Sequence, residues 1–233
     1  MFTLKLTEFA KSIRRRLASI LGKTPASPRA MPYTEFTFAA LGRLAKASGV
    51  VRPAHIDLAQ QLMRDLGFGL NDRRRAILWF DYGKRPDCDF VPLSIACRKT
   101  LEDRDVLNEM ALESLCVMAW AEGPPKRECR RELERLAALL GIRARQLQST
   151  EARVAEHRRQ QLPAALRQAY QVLGVDHWID DAELKLAYRR LMSRHHPDKL
   201  GAAIDADELQ RAAENSIAIR DAYDLIRASR NSV

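Results

Sequence analysis

A histidine and an aspartate flank a proline near the C-terminus, in the run His195-His196-Pro197-Asp198-Lys199. Proline disfavours the helical conformation of the residue before it, so a helix that enters this run must end close to His196. The imidazole of His196 and the carboxylate of Asp198 then lie on either side of a stiff corner, where both can hydrogen-bond a partner. Because Pro and Asp also favour ordinary turns, the tripeptide taken alone favours a simple turn at the end of a helix.

Three helices are predicted around this corner. Residues 166–173 predict a short helix that ends near Gly174, and Asp180–Glu183 has the capping-box pattern that begins a second helix. The apolar face of the second helix carries Leu184, Ala187, Tyr188 and Leu191. Its opposite half carries four basic side chains: Lys185, Arg189, Arg190 and Arg194. Asp205–Glu208 caps a third helix, whose predicted inner face is Leu209, Ala213, Ile219, Tyr223 and Ile226.

This region resembles a J domain, the module through which J-domain co-chaperones bind DnaK-type ATPases. The matching segments are Tyr170–Val175, Ala187–Leu191, the tripeptide with Lys199, and Ala222-Tyr223, within residues 166–228. One residue departs from the family pattern: Ser216 stands where the third helix usually carries an aromatic core residue. We therefore expect looser packing of that helix.

The resemblance implies that the second helix steers its basic face onto an acidic surface of a DnaK-type ATPase, in a salt-sensitive interaction. His196 and Asp198 would dock near the junction of the nucleotide and substrate domains of that partner and stimulate its ATP hydrolysis. The predicted partner-binding residues are His196, Pro197, Asp198, Lys199, Lys185, Arg189, Arg190 and Arg194. We expect no catalytic residues, metal or cofactor in this chain, since the sequence has no nucleophile–base pair, phosphate-binding glycine loop or metal-ligand cluster.

The middle of the chain is helical in periodicity from Tyr33 to about Gln148, and it contains a weak internal repeat. The shift that places Leu41 on Leu115 also places two glycines, Gly49 and Gly67, on Gly123 and Gly141. Each copy predicts a helix, a glycine-containing turn, a second helix and a glycine C-cap. Two such hairpins with helices between them form a small helical bundle.

This layout resembles the TerB-like domain, in which acidic residues often follow the two hairpin turns. The first turn here, Ser48–His55, has no carboxylate, and the second, Ala121–Glu128, has two carboxylates beside two basic residues. Calcium requires several oxygen ligands, so the sequence favours a scaffold or docking surface over a metal site. The aromatic run Leu78–Gly83 is interpreted as core rather than a partner surface, and Arg73–Arg75 as solvated surface.

The N-terminal segment 1–21 predicts a basic amphipathic helix, with an apolar stripe from Phe2 to Ile20 and five basic side chains on the remaining surface. Such a helix suits peripheral contact with an anionic membrane, but packing on the protein or on a second copy, and disorder, are alternatives. Thr24–Pro28 is typical of a linker. The longest uncharged apolar run, Leu115–Ala121, is much shorter than the ~20 residues that span a bilayer.

The sequence therefore predicts an all-α protein with four segments. These are a basic amphipathic helix and linker (1–30), a TerB-like helical domain (31–148), a polar Arg-rich linker (149–162) that is either a helical extension or a flexible tether, and a J domain (163–233) with the boundary at Pro163. Four scattered cysteines indicate reduced thiols of a cytosolic protein, three of them half-buried. The expected location is the cytoplasm, or the inner face of the membrane.

A TerB-like domain before a terminal J domain is similar to the DjlA type of bacterial co-chaperone. The resemblance implies a co-chaperone whose middle domain selects a client or site and whose J domain recruits the ATPase there. Two other functions remain as hypotheses. One is a metal-responsive stress protein acting through the TerB-like domain. The other is a basic nucleic-acid-binding protein, although the sequence has no recognition helix or stacking platform and we expect no specific nucleic-acid partner.

Overall fold

The computed structural model describes residues 31–99, 104–195 and 206–231. Within these ranges the chain forms ten α-helices and no strand, which confirms the predicted all-α class. The helices are α1 (Met31–Ala47), α2 (Pro53–Asp65), α3 (Leu70–Gly83), α4 (Phe90–Lys99), α5 (Arg104–Ala119), α6 (Arg127–Leu139), α7 (Ala144–Gln160), α8 (Ala164–Val172), α9 (Asp181–His195) and α10 (Ala206–Asn231). The predicted N-terminal helix and its linker lie outside the described residues.

The described chain divides into two compact units, a first unit that ends at Ala155 and a second unit that begins at Glu156. The division falls within α7, whereas the sequence indicated a boundary at Pro163. The Arg-rich segment is helical as far as Gln160. Of the two forms considered for this segment, the structure therefore shows the helical extension.

The first unit contains the predicted repeat, and the shift that places Leu41 on Leu115 relates three helices in each copy. Helices α2 and α6 begin at positions related by this shift, as do α3 and α7. Gly49 and Gly123 have nearly the same φ, 123° and 124°, and Gly67 and Gly141 have φ of 69° and 78°. Residues other than glycine rarely adopt these φ angles, so the glycines form corresponding turns in the two copies.

Helix α1 is the central helix of the first unit and contacts α2, α3, α4, α5 and α6. Every residue from Phe36 to Gly42 is buried, so the helix has no solvent-facing side along this stretch. Phe36 packs edge to face on Phe90 of α4, with 6.1 Å between ring centroids. A helix that is apolar all round is stable only when other elements cover it, and here the rest of the unit does so.

Two glycines let α1 and α3 cross with their backbones in contact. A Cβ atom on Gly42 would overlap the carbonyl oxygen of Phe80, and a Cβ atom on Gly83 would overlap that of Ala39. Any larger residue at either position must therefore push the helices apart. This crossing sets the geometry of the first repeat.

The second repeat lacks that crossing, and α7 is held by buried Leu147 and Val154 together with a set of polar contacts. The positions that correspond to Gly42 and Gly83 are Cys116 and His157. The buried carboxylate of Glu151 in α7 accepts hydrogen bonds from the indole of Trp120, at 3.2 Å, and from Arg130 of α6, at 3.1 Å to each oxygen. The two copies therefore share a helix order but differ in how the third helix packs.

The aromatic run in α3 is only partly core. Phe80 is buried, whereas Trp79 and Tyr82 are half-buried and pack edge to face, and Leu78 is 68% exposed.

All four cysteines are buried free thiols, so the expectation of half burial for three of them was wrong. Burial raises the pKa of Cys97 and of Cys129 to about 11, which keeps both as neutral thiols near neutral pH. They contribute packing rather than reactivity.

Replacing Gly83 with alanine tests the close crossing. We expect Gly83→Ala to lower the free energy of unfolding by about 1–3 kcal/mol, because the new Cβ must displace the backbone of α1. Gly69→Ala is the matched control, since its Cβ would meet only the Asp72 carboxylate at 3.7 Å. Urea denaturation followed by circular dichroism measures both, and an equal loss in the two variants would contradict the crossing.

Candidate functional site

The second unit packs α8, α9 and α10 around a small core of its own. The buried members are Leu166, Ala169, Tyr170, Leu173, Leu184, Ile219, Ala222 and Ile226. The rings of Tyr188 in α9 and Tyr223 in α10 stack with centroids 4.3 Å apart and an interplanar angle of 19°. This stacking and the shared core hold α9 against α10.

The predicted start of α9 is confirmed. Asp180 precedes the helix, and its Oδ1 accepts a hydrogen bond of 2.7 Å from the backbone N–H of Glu183. This bond satisfies one of the N–H groups that a helix start leaves without an intrahelical partner. The short helix α8 ends as predicted, with Gly174 at a φ of 62°.

The inner face of α10 differs from the prediction at two positions, Ala213 and Tyr223. Ile219 and Ile226 are buried as predicted, but Ala212 is buried in place of Ala213. Tyr223 is half-buried because its ring stacks beside the core rather than inside it. The side chain of Leu209 lies outside the described residues.

The predicted basic face of α9 is exposed. Lys185, Arg189, Arg190 and Arg194 all point to solvent, whereas Leu184 on the opposite side is 1% exposed. Helix α9 extends to His195. The four predicted corner residues, His196, Pro197, Asp198 and Lys199, lie outside the described residues.

Ser216 makes a contact that the sequence did not predict. Its side chain is buried, and its hydroxyl donates a hydrogen bond of 2.7 Å to the carbonyl oxygen of His195. The last carbonyls of a helix lack intrahelical partners, so this bond satisfies one of them directly before the predicted corner. The sequence predicted looser packing at Ser216, but it did not predict this hydrogen bond, which connects α10 to the end of α9.

Arg230, near the end of α10, is a structural residue that sequence reasoning missed. Its guanidinium donates hydrogen bonds to the carboxylate of Asp181, at 2.6 Å, to the carbonyl of Ile179, at 2.8 Å, and to the hydroxyl of Tyr170, at 3.4 Å. One side chain thus connects α10 to α8 and to the start of α9. Because these partners are 49 to 60 residues distant, no local pattern indicates them.

The α8–α9 loop packs against the last turns of α7. The guanidinium of Arg158 lies 5.1 Å from the ring centroid of Trp178, and Arg159 pairs with Asp176 at 3.3 Å. Burial lowers the pKa of His177 in the same loop, so its imidazole is neutral near pH 7. Arg158 and Arg159 therefore hold the loop that precedes α9 against the end of α7.

The two hairpin turns of the first unit are joined to each other. Arg52 from the first turn pairs with Glu122 from the second at 3.1 Å. His55 is 1% exposed, its Nδ1 accepts from the N–H of Arg52, and its Nε2 lies 3.2 Å from the hydroxyl of Ser48. Burial lowers the pKa of His55, and both ring nitrogens have partners, so it is a satisfied core histidine. Among the described residues no three metal-ligating side chains cluster, so the metal hypothesis gains no support.

Known proteins match both the C-terminal region and nearly the whole chain. Residues 168–231 match the DnaJ domain family. The chain is 31% identical over 228 residues to the co-chaperone protein DjlA of Coxiella burnetii, covering 91% of this chain and 84% of that protein. The chain belongs to the DjlA family of J-domain co-chaperones. DjlA of Shewanella oneidensis is 32% identical, with 91% and 83% coverage, and DjlA of Vibrio vulnificus is 31% identical, with 88% and 81%.

No solved structure matches the chain. The matches to DjlA proteins cover about nine tenths of the chain and so extend into the first unit, which the DnaJ match does not reach. Its resemblance to TerB-like domains stays a prediction. None of the helices in the described part of the chain is long and apolar enough to cross a bilayer.

Replacing Arg230 tests how far the second unit depends on one side chain. We expect Arg230→Gln to destabilise the unit by about 2 kcal/mol, because it removes hydrogen bonds to a carboxylate, a hydroxyl and a carbonyl at once. Native-state hydrogen exchange of α8 and α10 amides measures the loss. Arg220→Gln, which removes an exposed arginine of the same helix, should leave that protection within about 0.5 kcal/mol of the original.

Proposed function

We propose that this DjlA-family chain recruits a DnaK-type ATPase through its second unit and stimulates ATP hydrolysis by that partner, without being an enzyme itself. The observation that carries the proposal is the exposed basic face of α9, Lys185, Arg189, Arg190 and Arg194, which leads into His196-Pro197-Asp198. This face belongs to a helix that the core, the Asp180 cap and Arg230 hold in place. The match to the DnaJ family adds independent support.

The proposed mechanism separates steering from docking. Four cations on one face attract an acidic surface over a distance of about a Debye length, which raises the rate of encounter. His196 and Asp198 then supply short-range hydrogen bonds and charge at the corner that the sequence predicts around Pro197. Binding that favours the hydrolysis-competent state of the partner accelerates its ATP cleavage, since a ligand shifts an equilibrium only through differential affinity.

The first unit is proposed to direct the co-chaperone to a client or site. It has its own extensive core, and its hairpin turns are joined by the Arg52–Glu122 ion pair, so it is built as a rigid scaffold. The proposed location is the cytoplasm or the inner face of the membrane, with residues 1–21 as the candidate membrane contact.

The His196→Gln variant tests recruitment of the ATPase. We expect the intact chain to stimulate steady-state ATP hydrolysis by a DnaK-type chaperone, and His196→Gln to lose most of that stimulation. The variant replaces a side chain next to the end of α9, and unchanged circular dichroism would show that the helices remain. A variant that stimulates as well as the intact chain would remove the corner from the mechanism.

If the basic face of α9 steers the encounter, binding to the ATPase depends on where the arginines lie as well as on the net charge of the chain. We expect Arg189→Gln with Arg190→Gln to weaken binding to the ATPase about tenfold and to reduce the dependence of binding on salt. Arg211→Gln with Arg220→Gln is the matched control, because it removes two exposed arginines from α10. Surface plasmon resonance at several salt concentrations measures both, and equal effects would show that only net charge matters.

A further inference from the structure

The two repeats of the first unit contain a cavity at the same place, and the two cavities differ greatly in size. One cavity lies between α1 and α3, and the other is a groove between α5 and α7. Six lining residues of the first correspond, by the shift that relates the two repeats, to lining residues of the second. The pairs are Thr34 and Asn108, Glu35 and Glu109, Phe68 and Ile142, Asp72 and Gln146, Arg75 and Ser149, and Trp79 and Arg153.

The first cavity is too small for a ligand, and the second is not. The α1–α3 cavity has a volume of about 20 Å³, close to the space that one water molecule needs. The α5–α7 groove has a volume of about 720 Å³, within the range of ligand-binding clefts. The difference follows from the residues: Phe68 and Trp79 fill the first cavity, and Ile142 and Arg153 leave the second one open.

The wider groove also follows from the different packing of the third helix. Ala39, whose carbonyl touches Gly83, corresponds to Glu113 in the second repeat. Arg153 of α7 reaches across the gap to Glu109, at 3.6 Å, and to Glu113, at 3.7 Å. Burial raises the pKa of Glu113 to about 7, so this side chain carries a full negative charge only above neutral pH.

The rim of the groove carries two further arginines. Arg143 and Arg145 line it and are exposed. The backbone N–H of Arg143 donates to Gln146 Oε1 at 3.0 Å, and Asn108 donates to the carbonyl of Leu140 at 3.4 Å. These bonds fix the segment before α7 that presents Arg143. The groove therefore combines a polar, amide-bearing wall with guanidinium groups that face solvent.

We propose that this groove, between α5 and α7, is the client-docking site of the co-chaperone and binds an extended acidic segment of a protein. Arg143 and Arg145 are available to pair with its carboxylates, and amide and hydroxyl side chains such as Ser149 can hydrogen-bond its backbone. None of the described residues that line the groove is aromatic, so bases have no ring to stack on, which favours a peptide over a nucleic acid. The inference deepens the proposed function of the first unit and rests on it.

The test uses the full chain and a fluorescein-labelled ten-residue peptide of alternating Glu and Ala, with fluorescence anisotropy at about physiological salt. Arg143→Gln with Arg145→Gln is expected to weaken peptide binding about tenfold. The matched control, Arg74→Gln with Arg131→Gln, removes the same charge from exposed positions outside the groove and should change binding less than about twofold. Equal weakening by both pairs would overturn the proposal, because the basic chain would then attract the peptide non-specifically.

A second variant tests the groove without changing charge. Ser149 is exposed on the wall of the groove, and Ser149→Trp places a bulky side chain into the space. We expect this variant to weaken peptide binding about tenfold and to keep its circular dichroism. Unchanged binding would overturn the proposal. A single-stranded oligonucleotide would also overturn the proposal if it displaced the peptide from the intact chain and itself failed to bind Arg143→Gln with Arg145→Gln.

Two cross-checks separate this proposal from the recruitment of the ATPase. Peptide binding should persist in His196→Gln, and stimulation of the ATPase without client should persist in Arg143→Gln with Arg145→Gln. If the chain binds the peptide at the groove but stimulates no ATPase, only the proposed recruitment fails. If it stimulates the ATPase but its peptide binding does not respond to the groove variants, only the groove proposal fails.

Discussion

The backbone contact between α1 and α3 is the constraint on which the first unit depends. It requires glycine at two positions, Gly42 and Gly83, and it brings α3 close enough to cover one side of a helix that has no polar face along its middle. With α3 in that place, α4, α5 and α6 cover the remaining sides of α1. The second repeat has the same helix order, but α5 presents Cys116 and Glu113 where α1 presents Gly42 and Ala39. An internal duplication therefore yields one closed copy and one open copy.

The sequence predicted those parts of the fold that depend on local patterns. The repeat was visible because the left-handed backbone of its turns requires glycine, and the glycines at Gly49 and Gly67 recur with the same spacing at Gly123 and Gly141. The start of α9 was visible because Asp180 and Glu183 have the spacing of a capping box. The helical state of the Arg-rich segment was left open, since its few apolar anchors become informative only when their packing partners are known.

The parts that could not be predicted depend on contacts between distant segments. Arg230 resembles any exposed arginine near a helix end, where such residues are common because they complement the helix dipole. Its role becomes apparent only when α8 and the start of α9 lie beside it. Ser216 was recognised as a departure from the family pattern, but its hydrogen bond to His195 requires knowing where α9 ends. The groove was missed for the same reason, because its lining comes from two separate segments of the chain, one in α5 and one from Gly141 to Arg153 in α7.

The two proposed binding surfaces use positive charge in different ways, and the difference follows from their surroundings. On α9, Lys185, Arg189, Arg190 and Arg194 stand on one exposed face, and a surface of this kind acts mainly on the rate of encounter and weakens with salt. In the groove, Arg153 already pairs with two carboxylates of α5, so it contributes less positive charge to a ligand. Hydrogen bonds and shape complementarity must therefore supply more of the affinity there. In the proposed mechanism this division lets the co-chaperone meet its ATPase quickly and reversibly, while the groove selects a client by fit. Attraction of acidic clients to the basic face of α9 would oppose such selectivity. That attraction stays weak, because an exposed helical face offers a peptide charge but few other contacts.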